Sequence, residues 1–168
     1  MKRGPVPTRL LLDPGHALAL GFGAGLSSRA PGTVGTAVAI PIYLAVFALS
    51  GGLITYLLVV IGISALGIYV SGRTATALGV DDHGGIVVDE IAGFLVTMVA
   101  VSPSAVNILV GFAAFRLFDI WKPGPIGWAD RHFHGGLGIM ADDLLAGIAA
   151  CLVVHGVQWV TLFLEPGI

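Results

Sequence analysis

Two polar stretches carry most of the chemistry in this 168-residue chain: GVDDHGGIVVDE (79–90) and RLFDIWKPGPIGWADRHFHGGLGIMADD (116–143). Asp89 and Glu90 stand side by side at the head of an apolar run, after Ile-Val-Val, where a surface cap would not be placed. Asp82 lies seven residues before Asp89, on the same face if that stretch is helical. Asp119 falls three residues after Arg116 and three before Lys122, and Asp142-Asp143 close the second stretch. Carboxylates drawn together from separate segments repel one another unless a cation binds them. An all-oxygen site suits Mg²⁺, which keeps some of its waters and takes a substrate phosphate. Arg116, Lys122 and Arg131 are phosphate-binding candidates close by. Acids and bases gathered beside an apolar run read as metal-assisted chemistry on a lipid phosphate.

Each of these residues also has a plainer reading. Asp142 and Asp143 suit the cap of a following helix. The basic residues suit topology signals, and His83, His132 and His134 suit solvated loops. His155, without charged neighbours, suits packing or a bond to backbone. Gly84-Gly85 and Gly135-Gly136 read as turns, although glycine also lets backbone approach a phosphate. Several mechanisms are excluded by their missing signatures. Cys151 lacks an Arg six residues on, since position 157 is Val, and no DxDxT, Walker or GxSxG pattern occurs. The vanadium-sensitive lipid phosphatase and CDP-alcohol phosphotransferase patterns are absent too.

The elements that must position these groups are apolar. Hydrophobic residues make up 56 % of the chain and charged residues 11 %, with mean hydropathy +0.95. A soluble domain is about 25 % charged, so the composition indicates a polytopic, all-α membrane protein of one domain, residues 1–168. Five spans are expected: 33–50, 52–70, about 85–101, 104–118 and 144–164. A crossing needs roughly 20 residues, so the third and fourth require Asp89, Glu90 and Arg116 near one membrane face. Residues 16–26 (HALALGFGAGL) are too short to span and read as an interfacial or re-entrant piece. Pro41 is expected to kink the first span, a defect that neighbouring helices can satisfy. The opening MKRGPVPTRLLLDPGH is not expected to be a secretory signal, having only a three-Leu apolar stretch. With five spans, all eight Lys and Arg residues fall on one side, which the positive-inside rule makes the cytoplasm. The net charge of −2, without a basic patch, gives no indication of nucleic-acid binding.

The stretches GFGAGLSSRAPGTVGT (21–36), DHGGIVVDEIAG (82–93), FRLFDIWKPGPIGWADRHFHGG (115–136) and GIMADDLLAG (138–147) closely resemble the phosphatidylglycerophosphatase A family. The resemblance covers about residues 16–147. It implies a Mg²⁺-dependent bacterial enzyme of the cytoplasmic (inner) membrane. The reaction implied is hydrolysis of phosphatidylglycerophosphate to phosphatidylglycerol and inorganic phosphate. Asp82, His83, Asp89, Glu90, Asp119, Lys122, Asp130, Arg131, Asp142 and Asp143 stand on motif positions. On this basis Asp89, Glu90, Asp142 and Asp143 are expected to hold the metal, helped by Asp82. Lys122, Arg116 and Arg131 are expected to neutralise the phosphoryl oxygens, and His83 or His134 to protonate the leaving glycerol oxygen. Thr33 and the backbone at Gly32 and Gly35 add candidate donors, with Gly135 and Gly136 as close-approach positions. Water and an aspartate remain alternative nucleophiles.

Two other classes fit part of the pattern. A small transporter could use Asp89, Glu90 and Asp143 for ion coupling, but the charges gather at one face and no inverted repeat is evident. A noncatalytic lipid-binding subunit would need no metal. Loss of activity in Asp89→Asn separates the enzyme from the subunit.

Overall fold

The computed structural model describes residues 6–164, and the side chains of residues 6–161. The basic residues Lys2 and Arg3 lie outside the described residues. All regular elements among those described are helical. A 3-10 turn (Thr8–Leu12) leads into α1 (Pro14–Ala19), and a second (Gly21–Leu26) leads to α2 (Pro31–Ser50). There follow α3 (Leu53–Leu78), α4 (Val88–Thr97), α5 (Ala105–Trp121), α6 (Pro125–His132) and α7 (Gly135–Leu164).

Three helices, α2, α3 and α7 as far as Thr161, are long and apolar enough to cross a membrane. At 1.5 Å per residue the 20 residues of α2 reach about 30 Å, the thickness of the hydrocarbon core. Pro31 opens α2 at a position where a missing N–H costs nothing, and the helix continues through Pro41 to a left-handed Gly51. Ile54, Leu58, Ile61 and Leu152 turn outward with no protein covering them, as lipid-facing residues do.

The expected third span is not a full-length helix. Its helical part, α4, has 10 residues, or about 15 Å, and packs against α2, α3, α5 and α7. Apolar composition reports burial, and here protein does the burying. The chain turns at 98–104 instead of continuing. Its carbonyls find partners there: Tyr56 Oη donates to Leu95 O at 2.8 Å and Tyr43 Oη to Val101 O at 2.7 Å. The His155 ring meets Val99 O at 2.9 Å, the backbone pairing its isolation in the sequence suggested. In an apolar interior each orphaned carbonyl would cost several kcal/mol, roughly. Tyr43, Tyr56 and Phe94 stack edge to face around this point, with ring centroids 6.4–6.5 Å apart. The turn at 98–102 and the α2–α3 connection line one cavity, so both lie at the same end of the bundle.

The last expected span is the outer part of a longer helix. Because α7 begins at Gly135, Asp142 and Asp143 lie about two turns inside it and do not cap it. Residues 16–26 form a short helix and a turn, held to α3 by His16 Nδ1 and Thr74 Oγ1 at 2.9 Å. Asp13 caps α1 through the Gly15 and His16 N–H groups and pairs with Arg73 of α3 at 2.7 Å.

Candidate active site

The site forms where α4 crosses α7. At Gly93 a Cβ would come within 2.7 Å of Asp143 O, and at Gly147 it would run into Gly93 O. Side-chain-free backbones therefore set the crossing distance. One turn before Gly93 lie Asp89 and Glu90; one turn before Gly147 lies Asp143. Close approach of the two helices brings these acids together, with ligand oxygens all within 4.8 Å of one another. Asp89 Oδ1 and Glu90 Oε2 are buried and have no hydrogen-bond partner among the described residues. Asp119 of α5 reaches hydrogen-bonding range of Asp143 and forms an ion pair with Arg116. Arg116 also faces Glu90 at 3.8 Å.

These acids open into a cavity of about 270 Å³. Of the expected site residues, Asp82, Asp89, Glu90, Lys122, His134, Gly135, Asp142 and Asp143 all line it. Lys122, at the left-handed end of α5, bonds Asp130 of α6 at 2.5 Å and Asp142 of α7 at 2.6 Å. Burial pulls the Lys122 ammonium down, but its bonds to the two carboxylates outweigh that and leave it raised above the ordinary lysine range. It stays charged throughout the neutral range. Asp142 is thus committed to Lys122 and stands outside the close trio of Asp89, Glu90 and Asp143.

Several expected residues lie elsewhere. His83 accepts the Gly85 N–H on Nδ1 at 3.1 Å and lines a neighbouring cavity, outside the acidic lining. Arg131 is exposed on α6 and outside that lining. Arg116 sits behind the acids as their counter-ion. Thr33 is in the first turn of α2, also outside the lining. Gly35 and Gly136 serve helix packing: a Cβ at Gly35 would lie 2.7 Å from Val87 Cβ, and one at Gly136 would strike Ile68 O. Both glycines are spent on tight helix contacts, which leaves no room there for a phosphate.

One feature was missed in the sequence: Asp81 lines the acidic cavity, and its only signal was adjacency to Asp82. Gly32, expected as a backbone donor, lies against the ion pair, where a Cβ would collide with Glu90 Oε1 and stand 3.0 Å from Arg116 Nη1.

The phosphatidylglycerophosphatase A family profile matches residues 17–158. The chain is 43 % identical over 150 residues to phosphatidylglycerophosphatase A of Escherichia coli K12, covering 88 % of this chain and 86 % of that protein. It is 41 % identical over 159 residues to the Haemophilus influenzae protein of the same name, covering 94 % and 97 %. A putative phosphatidylinositol-3-phosphatase of Bacteroides thetaiotaomicron is 34 % identical over 146 residues, covering 83 % and 91 %. No solved structure matches. With its acidic helix crossing inside the matched segment, the chain belongs to the phosphatidylglycerophosphatase A family.

Proposed function

We propose that this chain hydrolyses phosphatidylglycerophosphate to phosphatidylglycerol and inorganic phosphate, with Mg²⁺ held by Asp89, Glu90 and Asp143. Family membership carries the reaction. The observation that supports the metal is the trio itself: three carboxylates within reach of one ion, two of them with buried, unpartnered oxygens. An all-oxygen donor set favours a hard divalent cation. When bound, Mg²⁺ supplies charge neutralisation at the phosphoryl oxygens.

The chain's own groups do the rest. Arg116 holds Glu90 and Asp119 in place through ion pairs. Lys122 presents a positive charge at the cavity wall, where negative charge spreads in phosphoryl transfer. His134 lines the same cavity and serves as the proton donor to the leaving glycerol oxygen. Asp142, buried, holds the Lys122 ammonium in place, and Asp82 adds a carboxylate to the cavity lining.

The bundle makes five passages in this reading. Here α4 with its turn at 98–104, and then α5, go to the far end of the bundle and back. The shared cavity of that turn and the α2–α3 connection supports it. Arg73, Arg116, Lys122 and Arg131 lie toward the site end, so that end faces the cytoplasm of a bacterial inner membrane. The acyl chains stay in the bilayer while the phosphate reaches the acids.

Phosphate release in detergent tests the reading, with Mg²⁺ and with chelator, on wild type and Asp89→Asn. Metal-dependent release that falls at least 100-fold in the variant is expected. Absence of release from folded wild type with any divalent metal refutes the phosphatase reading and returns the acids to ion coupling.

A further inference from the structure

The carboxylates that line the acidic cavity do not all face the same partner. Lys122 is the one Lys or Arg among the lining residues, and its ammonium bridges Asp130 and Asp142 at 2.5 and 2.6 Å. Asp119 pairs with Arg116. Asp89, Glu90 and Asp143 are left as the group, among the described residues, whose oxygens lie close enough to share one ion. Among the described carboxylates, the buried oxygens without a hydrogen-bond partner belong to Asp89 and Glu90. Asp142 is the chain neighbour of Asp143, yet it is turned to Lys122 and stands outside that group.

The local structure is built around this ammonium. Lys122 is left-handed, with φ 49° and ψ 54°, directly before Pro123, where sterics favour extended backbone. A Cβ at Gly127 would lie 2.5 Å from Lys122 O, so the bare glycine lets α6 close against the end of α5. Asp130 follows one turn later and meets the ammonium. An ammonium has three N–H donors. Two go to Asp130 and Asp142, which leaves the third for the cavity.

Phosphoryl-transfer sites with two metals hold the ions about 3.5–4 Å apart and neutralise both the attacking and the leaving oxygen. A second ion here would need Asp142 and Asp130, and a compact point charge already sits between them. We infer that the Lys122 ammonium stands in for a second metal ion, so that the site takes one divalent cation and not two. The inference rests on the metal reading proposed above. It divides the positive charge of the site into an exchangeable ion at the trio and a fixed one at Lys122. The third N–H of Lys122 then faces a phosphoryl oxygen of the substrate.

Mn²⁺, a spectroscopic substitute for Mg²⁺, tests this by titration into metal-free protein in detergent, with free ion read by electron paramagnetic resonance. Wild type, Asp89→Asn, Lys122→Gly and the double variant Lys122→Gly/Asp142→Asn are compared. Glycine suits the left-handed backbone at this position and leaves the ammonium's place open. Wild type is expected to bind one ion per chain, at least tenfold more weakly in Asp89→Asn. Lys122→Gly is expected to bind two, and the double variant one. Retention of the first ion shows that the variants are folded, and loss of the second with Asp142→Asn assigns it to the vacated carboxylates. Two ions in wild type overturn the inference whether or not any variant folds. A single ion in Lys122→Gly overturns it too, and either result leaves the metal trio standing. Wild type that binds no Mn²⁺ overturns the metal reading and this inference with it.

Discussion

Replacing Gly32 by Ala adds one methyl group beside the ion pair that frames the trio of Asp89, Glu90 and Asp143. The added Cβ collides with Glu90 Oε1 and stands 3.0 and 3.2 Å from the two terminal nitrogens of Arg116. Ordinary carbon contacts begin near 3.4 Å. Glu90 must therefore retreat by about 1 Å, whereas Arg116 need move only a few tenths. If the Arg116–Glu90 separation opens from 3.8 Å by that amount, the Coulomb attraction weakens by about 1 kcal/mol at an effective dielectric constant near 20. Helix propensity opposes this loss, since Ala gains roughly 1 kcal/mol over Gly in a helix. The two terms nearly cancel, so unfolding in detergent should shift little.

Activity should not escape in the same way. A misplacement of about 1 Å in a positioning group costs roughly 100-fold, and Glu90 belongs to the trio. Phosphate release by Gly32→Ala should fall between about 30- and 100-fold, with the Mg²⁺ concentration for half-activation raised. The assay is a Mg²⁺ titration of phosphate release, paired with thermal unfolding on the same preparation. Wild-type activity at wild-type Mg²⁺ demand, with Tm unchanged, would refute the argument that Gly32 sets the position of Glu90.

Lys122→Met removes the cation shared by Asp130 and Asp142 and should lower kcat roughly 100-fold. Steady-state kinetics checks this, with only partial recovery expected in Lys122→Arg because a planar fork does not reproduce a point ammonium. Gly136→Ala should destabilise by about 1–3 kcal/mol, read by unfolding, because the new Cβ meets Ile68 O and Gly72 N, both backbone atoms without flexible ends. The bond from Arg73, then the His16 N–H, hold the Asp13 carboxyl well below its usual value of 3.8. A carboxyl depressed in the folded state stabilises above its unfolded pKa and loses that contribution as pH falls through the folded one. Asp13→Asn should therefore flatten the acid limb of a Tm–pH curve below about pH 4, leaving its shape at neutral pH unchanged.

Much of this protein was legible in its residues. Composition declared a helical membrane protein because eighteen charged residues cannot coat a soluble domain of 168. The motif residues declared a family, and the uncharged runs at 33–50 and 52–70 declared two helices long and apolar enough to cross a membrane, since their length and polarity are local properties. Asp89 and Glu90 marked a candidate site, because two carboxylates at the head of an apolar run have no plain structural use.

Tertiary structure decided which residues meet. A run such as IAGFLVTMVAV is equally apolar whether lipid or protein surrounds it, so only packing revealed α4 as a 10-residue helix capped by Tyr43, Tyr56 and His155. Asp142 and Asp143 are neighbours in sequence, yet a helix turns successive side chains about 100° apart. One therefore reaches Lys122 while the other joins Asp89 and Glu90. Glycines carry no side-chain signal of their purpose. Gly32, Gly93 and Gly136 acquire theirs only from the atoms a Cβ would meet, which belong to residues far along the chain. Residue type reports what a group can do, and long-range contact decides what it touches.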